Sequence, residues 1–307
     1  MSIIILGSIN MDLVAHAPRL PKPGETLTGS SFHITPGGKG ANQAVACARL
    51  GVQTHMIGRV GDDVFGGALR KSLSDNGVDI SGVMVDNQLP SGVALIAIGE
   101  AAENNIIIVP GANGTLGQPD LSHLENILPD AKVLLLQLEI PMEIVQKAAL
   151  LAHSQGVTVI LDPAPARPLP IDLYPNVDIL TPNTTEAAFL AGFPVEDQSD
   201  AEKAASLLLE RGAGQIVIKM GAMGAYTQSQ SGGHFYQAIP VEAVDTVAAG
   251  DAFNGALGAA LSENLPFEKA MQWALAAGAI AVTRLGAQAA MPERIEILDI
   301  LKRRNLD

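Results

Sequence analysis

The sequence is poor in cysteine and in aromatic side chains. Cys47 is the single cysteine among 307 residues, so an intramolecular disulfide is excluded. We expect a small buried thiol in a reducing compartment. Aromatic residues make up only 4% of the chain. The core must therefore be built mainly from alanine, valine, isoleucine and leucine.

Basic residues are also scarce, with 19 Lys and Arg against 32 Asp and Glu, for a net charge of −13. Such a surface repels phosphate backbones and anionic lipids, which argues against nucleic acid and membrane partners. Phosphate would have to meet local backbone amides or a metal. No apolar run reaches the ~18 residues of a membrane span. The start, MSIIILGSIN, has no basic region and too short an apolar run for a signal peptide, so we expect a cytoplasmic protein.

Several catalytic patterns are missing. The six histidines lack metal-ligand spacing, and neither G-x-S-x-G nor HExxH occurs, so hydrolases of those types are not supported. The phosphate loop G-x-x-x-x-G-K-[ST] is absent. The fingerprint G-x-G-x-x-G is missing after the first apolar run, which disfavours an NAD-dependent oxidoreductase.

What is present is an alternation of short apolar runs and amphipathic stretches. Such alternation predicts an α/β fold, in which helices cover both faces of a mainly parallel sheet. Strands are predicted at residues 3–7, 54–60, 133–138, 157–162, 177–181 and 216–220. Helices are predicted at residues 40–50, 65–76, 142–155, 185–192, 201–211, 250–263, 266–283 and 293–304.

Two regions break this alternation, residues 12–35 with three prolines and residues 92–109 with a polar turn, EAAENN. Their extended pieces could form a small second sheet, too thin to fold alone. A lid over a cleft and a surface hairpin are both open readings. We predict one domain over residues 1–307, with a discontinuous lid from about 12–35 and 92–109.

The segment DTVAAGDAFNGAL at residues 245–257 carries the strongest chemical signal. The small residues Ala248, Ala249 and Gly250 lead into an apolar helix, whose free amides and partial positive charge can bind an anion. Asp251 lies in the first turn. An Asp at this position can simply cap the helix, so the pair Gly-Asp alone does not establish a catalytic role.

Two further segments carry candidate ligand-binding residues, one before a predicted helix and one after a predicted strand. PGGKGANQA, residues 36–44, places three glycines and Lys39 before a helix, with Lys39 and Asn42 as possible donors, which suits either ligand approach or close packing. GSINMD, residues 7–12, follows the first strand, at the edge where parallel sheets bind ligands. Asn10 and Asp12 are two apart and face one side of an extended segment. A polyol ligand or an Asx turn would explain them equally well.

The remaining candidates lie after later strands. In TPNTTE, Asn183 and Glu186 have the spacing of a capping box, and a Mg²⁺ or water network beside triphosphate is the functional alternative. Glu139 ends another predicted strand. KMGAMG, residues 219–224, could lie against nucleotide phosphates or start a hairpin.

Together these motifs resemble the PfkB carbohydrate kinase family. The likeness also includes Pro21–Thr26, GDDVFG at residues 61–66 and DPAPA at residues 162–166, which is similar to the family's NPAPA, and it covers the whole chain. The resemblance implies a three-layer α/β/α sandwich with a small β lid, lid-to-lid homodimers, and ATP-dependent phosphorylation of a sugar, D-ribose at its 5-hydroxyl. Mg²⁺ with ATP and an activating monovalent cation, usually K⁺, are implied cofactors.

The resemblance also implies roles for individual residues. Asp251 matches the catalytic base, with Ala248, Ala249 and Gly250 as the anion turn. Substrate positions are matched by Asn10, Asp12, Gly38, Lys39, Gly40, Asn42, Glu139 and Asp251. Nucleotide positions are matched by Asn183, Lys219, Gly221, Gly224 and Gly250, and Glu186 matches an acidic position linked to Mg²⁺. Monovalent-cation positions are matched by Asp245, Val247, Ala281, Arg284 and Gly286.

Three positions depart from the family pattern. Ala290 stands where a serine often contacts the cation, Lys219 where a threonine is frequent, and Leu275 where a histidine can flank adenine. Alternatives to ribose as substrate are deoxyribose, fructose, a keto-deoxy sugar acid and a nucleoside. A silent sugar or nucleotide sensor is the alternative of another class.

Overall fold

The computed structural model describes residues 2–99 and 104–304. In chain order the strands of these residues are β1 (Ser2–Leu6), β2 (Asn10–Ala17), β3 (Ser31–Gly37), β4 (Gln53–Gly61), β5 (Asp79–Asp86), β6 (Gly92–Gly99), β7 (Asn104–Val109), β8 (Ala131–Leu136), β9 (Thr158–Leu161), β10 (Ile179–Leu180), β11 (Gln215–Lys219), β12 (Gly224–Ser229) and β13 (Gly232–Gln237). The α-helices are α1 (Lys39–Arg49), α2 (Val64–Asp75), α3 (Gln118–Ile127), α4 (Met142–Ser154), α5 (Thr184–Ala191), α6 (Gln198–Glu210), α7 (Ala249–Ser262), α8 (Phe267–Ala281) and α9 (Arg294–Arg303).

Nine strands form the central sheet, in the order β13-β12-β11-β10-β9-β8-β1-β4-β5. The strands from β11 to β5 run parallel, and β12 and β13 form an antiparallel hairpin at one edge. A parallel sheet needs cover on both faces, and β1 shows it, since all five of its residues are buried.

Alternation along β1 divides the core into two layers. Ile3 and Ile5 pack with residues of α1, α2, α7, α8 and α9 on one face. Ile4 and Leu6 pack with residues of α3, α4, α5 and α6 on the other. The predicted three-layer α/β/α sandwich with a mainly parallel sheet is confirmed.

Four strands form a separate small sheet in the order β3-β2-β6-β7. It is built from the two regions that break the alternation of the sequence. Asn10, Met11 and Asp12 at the start of β2 are buried, whereas Phe32 and Ile107 on the outer strands are 59% and 62% exposed. The small sheet thus joins the main body at the start of β2 and carries exposed apolar side chains further out. The predicted polar turn EAAENN covers residues 100–105, of which 100–103 lie outside the described residues, whereas Asn104 and Asn105 begin β7.

Several elements differ from the sequence-based expectation. Helix α3 and strand β5 were not predicted. Strand β10 has two residues instead of the predicted five, and Pro182 beyond its end has no N–H to continue the ladder. The pairing resumes as an isolated bridge between Asn183 and Lys219, where the Lys219 N–H donates to the Pro182 carbonyl at 2.8 Å. In the part of the chain that the structure describes, no helix combines the length and the hydropathy needed to cross a membrane.

Candidate active site

The candidate residues gather at the carboxyl-terminal edge of the parallel strands. The loop after β1 leads to Asn10, Glu139 follows β8, Asp162 follows β9, and Lys219 ends β11. The amino ends of α1 and α7 close the same edge. This is where open parallel sheets bind ligands, because several loops and helix ends converge there.

Asp251 lies three residues into α7 and is 4% exposed. The residue before the helix, Ala248, has the left-handed φ of 56° and no side-chain cap bond. Asp251 therefore does not cap the helix. Its Oδ2 accepts a hydrogen bond from Asn42 Nδ2 at 2.9 Å, and its Oδ1 accepts one from Gln43 Nε2 at 3.1 Å.

The environment of Asp251 works against its charge. Burial raises the pKa of the Asp251 carboxyl, the nearby Lys39 ammonium lowers it, and Asp162 raises it further. The two amide hydrogen bonds from Asn42 and Gln43 oppose the rise. A buried carboxylate with a raised proton affinity is suited to accept a proton.

The turn before Asp251 has the properties of an anion site. The first N–H groups of a helix have no intrahelical acceptor, which leaves the amides of Gly250 and Asp251 as donors. A Cβ at Gly250 would lie 3.5 Å from Lys219 Nζ, in ordinary van der Waals contact. The Lys219 ammonium thus lies directly beside the turn and adds a full positive charge to it.

On the other side of Asp251, Glu139 gathers three donors from two other segments. Its Oε2 accepts hydrogen bonds from Ser8 Oγ at 2.5 Å and from Asn10 Nδ2 at 3.3 Å. The backbone N–H of Lys39 donates to the same oxygen at 3.4 Å. Gly38 and Gly40 make this possible, because a Cβ at either would lie within 2.8 Å of backbone between Gly7 and Asn10.

Asp12 faces the same cluster, as the spacing with Asn10 predicts, and it is 8% exposed. Burial, with the charges of Glu139 and Asp251, raises its pKa to about 7, and Lys39 acts in the opposite direction. Burial alone would lower the pKa of Lys39. The carboxylates of Asp251, Asp162, Glu139 and Glu186 outweigh that effect and raise it.

Asn183 and Glu186 form the capping box of α5. Asn183 Oδ1 accepts the Glu186 N–H, and Glu186 Oε2 accepts the Asn183 N–H, each at 2.8 Å. Burial raises the pKa of Glu186, Lys219 lowers it and Asp162 raises it, so this carboxyl belongs to the same electrostatic cluster. The structure thus shows the capping arrangement, and the Mg²⁺ alternative stays a prediction.

Lys219 forms an ion pair with Asp162, with Nζ 2.8 Å from Oδ1. The glycine turn after it leads into the β12–β13 hairpin, as the structural alternative predicts. Gly224 is needed there, because its φ is 121° and a Cβ would lie 2.0 Å from the Tyr236 carbonyl oxygen. Gly221 precedes it with a φ of 56°.

The residues predicted for a monovalent cation come from two loops that meet beyond the amino end of α7. Asp245 joins them, since its Oδ1 accepts the Val247 N–H at 3.0 Å and its Oδ2 accepts the Gly286 N–H at 2.9 Å. Ala281 accepts the Arg284 N–H at 3.1 Å. The Arg284 guanidinium pairs with Glu296 of α9. The backbone of the two loops is thus held together.

Four buried side chains at the site were not singled out from the sequence as site residues, namely Ser8, Gln43, Asn113 and Asp162. Asn113 is 1% exposed. Its Oδ1 accepts the Ile9 N–H at 2.9 Å, and its Nδ2 donates to Asn10 Oδ1 at 2.7 Å and to the Ile9 carbonyl at 3.1 Å. Gln43 stands next to Asn42 in GGKGANQA, and Asp162 begins DPAPA, so both carried a motif signal. Asn113, 103 positions from Asn10, carried none.

Comparisons with known proteins point to one family. The family described as pfkB family carbohydrate kinase matches residues 1–294. The ribokinase of Haemophilus influenzae is 40% identical over 301 residues, which cover 98% of this chain and 98% of that protein. The deoxyribokinase of Salmonella typhi is 36% identical over 95% of this chain and 96% of its own length.

Among solved structures, Arabidopsis thaliana ribokinase complexed with ribose and ATP matches with a TM-score of 0.90 and 35% identity. The match covers 98% of both chains. The family match spans almost the full length of the chain. The chain belongs to the PfkB family of carbohydrate kinases.

Proposed function

We propose that this protein transfers the γ-phosphoryl group of MgATP to the 5-hydroxyl of D-ribose, giving ribose 5-phosphate and ADP. The observation that carries the proposal is the buried Asp251 carboxylate, 2.9 Å from the Asn42 amide and beside the free amides at the start of α7. A proton acceptor and an anion site next to each other are what a phosphoryl transfer to a hydroxyl requires. The ribokinases at 35–40% identity favour ribose as the acceptor.

The sugar binds on the side of Asn10, Asp12, Lys39, Asn42 and Glu139. Carboxylate oxygens of Asp12 and Glu139 accept hydrogen bonds from sugar hydroxyls, and the Asn42 and Lys39 side chains donate. Gly38 and Gly40 leave the backbone open to the ligand. Asp251 accepts the proton of the 5-hydroxyl while that oxygen forms its bond to the γ-phosphorus and the bond to the bridging oxygen of ADP breaks.

The nucleotide binds on the side of Asn183, Lys219, Gly221, Gly224 and Gly250. Amides of Gly250 and Asp251, with Ala248 and Ala249 shaping the turn, stabilise negative charge on the transferred group. Lys219 adds a positive charge at the same place. Mg²⁺ enters as part of the MgATP substrate, and Glu186 is the carboxylate proposed to hold its water shell.

We also propose that a monovalent cation binds between the two loops. Its site would lie near Asp245, Val247, Ala281, Arg284 and Gly286. The residues present fit such an ion in part. Asp245 keeps the two loops together through the Val247 and Gly286 amides, and the loop carbonyls are suited to K⁺. Ala290 offers no hydroxyl ligand. When bound, the ion would rigidify the loops that precede the anion turn.

A homodimer and a lid role for the small sheet are also proposed. Phe32, Ile34, Ile106 and Ile107 are each more than half exposed on this sheet, which is unusual unless a partner covers them. A second copy of the sheet is the occupant that the family resemblance favours. The molar mass in solution of the wild type and of Ile107→Asp tests this, and a monomeric wild type would refute it.

Because ATP is a cytoplasmic metabolite and Cys47 is a buried free thiol, a cytoplasmic location is part of the proposal.

The test is ADP release with MgATP and a panel of free sugars that includes ribose, deoxyribose, fructose, a keto-deoxy sugar acid and a nucleoside. We expect the highest kcat/KM for ribose. Deoxyribose is the second candidate, because a deoxyribokinase is 36% identical to the chain. A higher kcat/KM for another sugar would replace ribose as substrate. Ribose binding in calorimetry without turnover would instead support a silent sensor.

A further inference from the structure

A continuous chain of buried polar side chains runs behind Asp251. Gln137 Nε2 donates to Gln43 Oε1 at 2.7 Å. Gln43 Nε2 donates both to Asp251 Oδ1 at 3.1 Å and to Asp162 Oδ2 at 3.0 Å. The other oxygen of Asp162 accepts the Lys219 ammonium at 2.8 Å. This chain of hydrogen bonds therefore connects the Asp251 carboxylate with the Lys219 ammonium beside the turn before α7.

The orientation of the Gln43 amide is fixed by its neighbours. Gln43 and Gln137 are both 0% exposed, so water does not compete for their polar atoms. Because Gln137 donates to Gln43 Oε1, the amide nitrogen of Gln43 must face the two carboxylates. Gly7 provides the space for Gln137, since a Cβ on Gly7 would lie 2.0 Å from Gln137 Oε1.

The ion pair at the other end is also closed off from solvent. The side chains of Asp162 and Lys219 are 3% and 13% exposed. Either charge without the other would be costly at this depth, so the pair acts as a unit. The Lys219 ammonium faces Gly250 on its free side, where a γ-phosphate would bind.

We propose that Asp162 and Gln43 are positioning residues, which hold the Asp251 carboxylate and the Lys219 ammonium in one rigid frame. This rests on the proposed role of Asp251 as the base. The frame fixes the spacing between the proton acceptor and the cation that meets the phosphoryl group. Phosphoryl transfer depends mainly on such positioning, so loosening the frame lowers kcat more than it weakens sugar binding.

The test is a double-mutant cycle on the ion pair. Asp162→Asn leaves the Lys219 charge uncompensated, and Lys219→Thr leaves the Asp162 charge beside the phosphates. We expect each single variant to lose about 10–100-fold in kcat, with KM for the sugar changed less than about threefold. The variant Asp162→Asn/Lys219→Thr should recover at least about tenfold over the product of the single losses. Losses that simply multiply would overturn the coupling.

Gln43→Leu provides the second variant, because it keeps the volume and removes both donated hydrogen bonds. We expect a kcat loss of about tenfold or more with the KM for the sugar retained. Unchanged kcat in a folded Gln43→Leu protein would refute the positioning role. Glu263→Gln is the matched control, since it breaks the pair with Arg294, 2.6 Å long, about 18 Å along α7 from Asp251. It should lower the unfolding temperature and leave kcat unchanged.

The outcomes separate this inference from the proposed function. If the wild type phosphorylates none of the sugars, the proposed function fails. If the wild type phosphorylates a sugar and the kcat losses of the two single variants simply multiply in the double variant, only the positioning role fails. Thermal unfolding of every variant identifies those that are unfolded. If an ion-pair variant is unfolded, the four-protein cycle is incomplete, and the kcat of Gln43→Leu decides the positioning role.

Discussion

The side-chain amide of Asn42 donates to Oδ2 of Asp251 at 2.9 Å, although the two residues are 209 positions apart. Gln43, the next residue of α1, donates to the other oxygen. Two consecutive amides at the start of one helix therefore orient a carboxylate at the start of another. Each oxygen still has a second acceptor direction for a substrate hydroxyl. This arrangement fixes the orientation of the Asp251 carboxylate as a proton acceptor.

Asp251→Asn keeps the size of the side chain and removes the proton acceptor. We expect kcat to fall by about 10²–10⁴-fold, the range typical of a general base, while ATP still binds. Turnover by ADP release and an ATP-binding titration check this. Asp197→Asn is the control, since Asp197 caps α6 by accepting the Asp200 N–H and asparagine can do the same. Near-normal turnover in Asp251→Asn would rule out the base.

Asn113→Ala tests the support of the sugar side. The substitution removes hydrogen bonds to Ile9 and to Asn10 Oδ1, so Asn10 loses its fixed orientation. We expect KM for the sugar to rise by about tenfold, KM for ATP to stay the same, and the free energy of unfolding to fall by about 1–3 kcal/mol. Steady-state kinetics with each substrate varied and denaturant unfolding check this. A rise confined to KM for ATP would contradict it.

Asp12 makes the stability depend on pH. Burial and the charges of Glu139 and Asp251 raise its folded-state pKa to about 7, above the value of an unfolded chain. Between about pH 4 and pH 7 the folded protein binds this proton more tightly, so the contribution of Asp12 to stability falls as pH rises. Asp12→Asn has no carboxyl group to titrate at this position, so it removes this loss of stability with rising pH.

We therefore expect Asp12→Asn to gain stability relative to the wild type between pH 5 and pH 8. Each tenfold difference in proton affinity is worth about 1.4 kcal/mol, so the relative gain should be on the order of 1–3 kcal/mol. Denaturant unfolding of both proteins at several pH values measures it. Parallel pH profiles of the two proteins would show that the pKa of Asp12 is not raised.

Gly7→Ala tests close packing under the site. The added Cβ would lie 2.0 Å from Gln137 Oε1 and 2.9 Å from Gly40 Cα, so the side chain or the backbone must move. Such overpacking costs about 1–3 kcal/mol. Gly67→Ala in α2 is the matched control, since nothing lies within 4 Å of its Cβ. It should stabilise the helix by up to about 1 kcal/mol, and equal melting temperatures for the two variants would contradict the packing argument.

The proposed monovalent cation is tested by turnover in K⁺, Na⁺ and Cs⁺ at one ionic strength. We expect the highest kcat in K⁺, because the ion would order the loops that Asp245 joins. Asp245→Ala should abolish the difference between the three salts. Equal turnover of the wild type in all three would contradict the site.

The layered fold was predictable because its strands are continuous apolar runs, such as residues 3–6, and its helices have clear apolar faces. Helix α3 was not found. It is weakly marked at its amino end, where Gln118 and Pro119 follow a glycine-rich turn and the cap comes from Asp120, whose carboxylate accepts the Gly117 N–H at 2.7 Å. The length of β10 was overestimated, and Pro182, which has no N–H, accounts only for where its pairing stops.

Motif residues of the site were predictable because each follows a strand or begins a helix. Asn113 was not, since its contacts with Ile9 and Asn10 arise only when a turn over a hundred residues away packs against β2. The partner of Lys219 was also hidden. Lys219 and Asp162 both depart from the neutral residues that the family pattern leads one to expect, and only the fold shows that the two departures meet as one ion pair. The lid role and the roles of the individual site residues stay predictions.

The surplus of negative charge around the site has a consequence for the form in which the phosphoryl donor arrives. Among the described residues, Asp12, Glu139, Asp162, Glu186 and Asp251 share the cluster with the ammonium groups of Lys39 and Lys219. Bare ATP, an anion approaching an acidic molecule, is repelled before it touches the protein. The magnesium complex of ATP carries half the negative charge of bare ATP, so it is repelled less. We therefore expect the acidic cleft to bind nucleotides preferentially as their magnesium complexes.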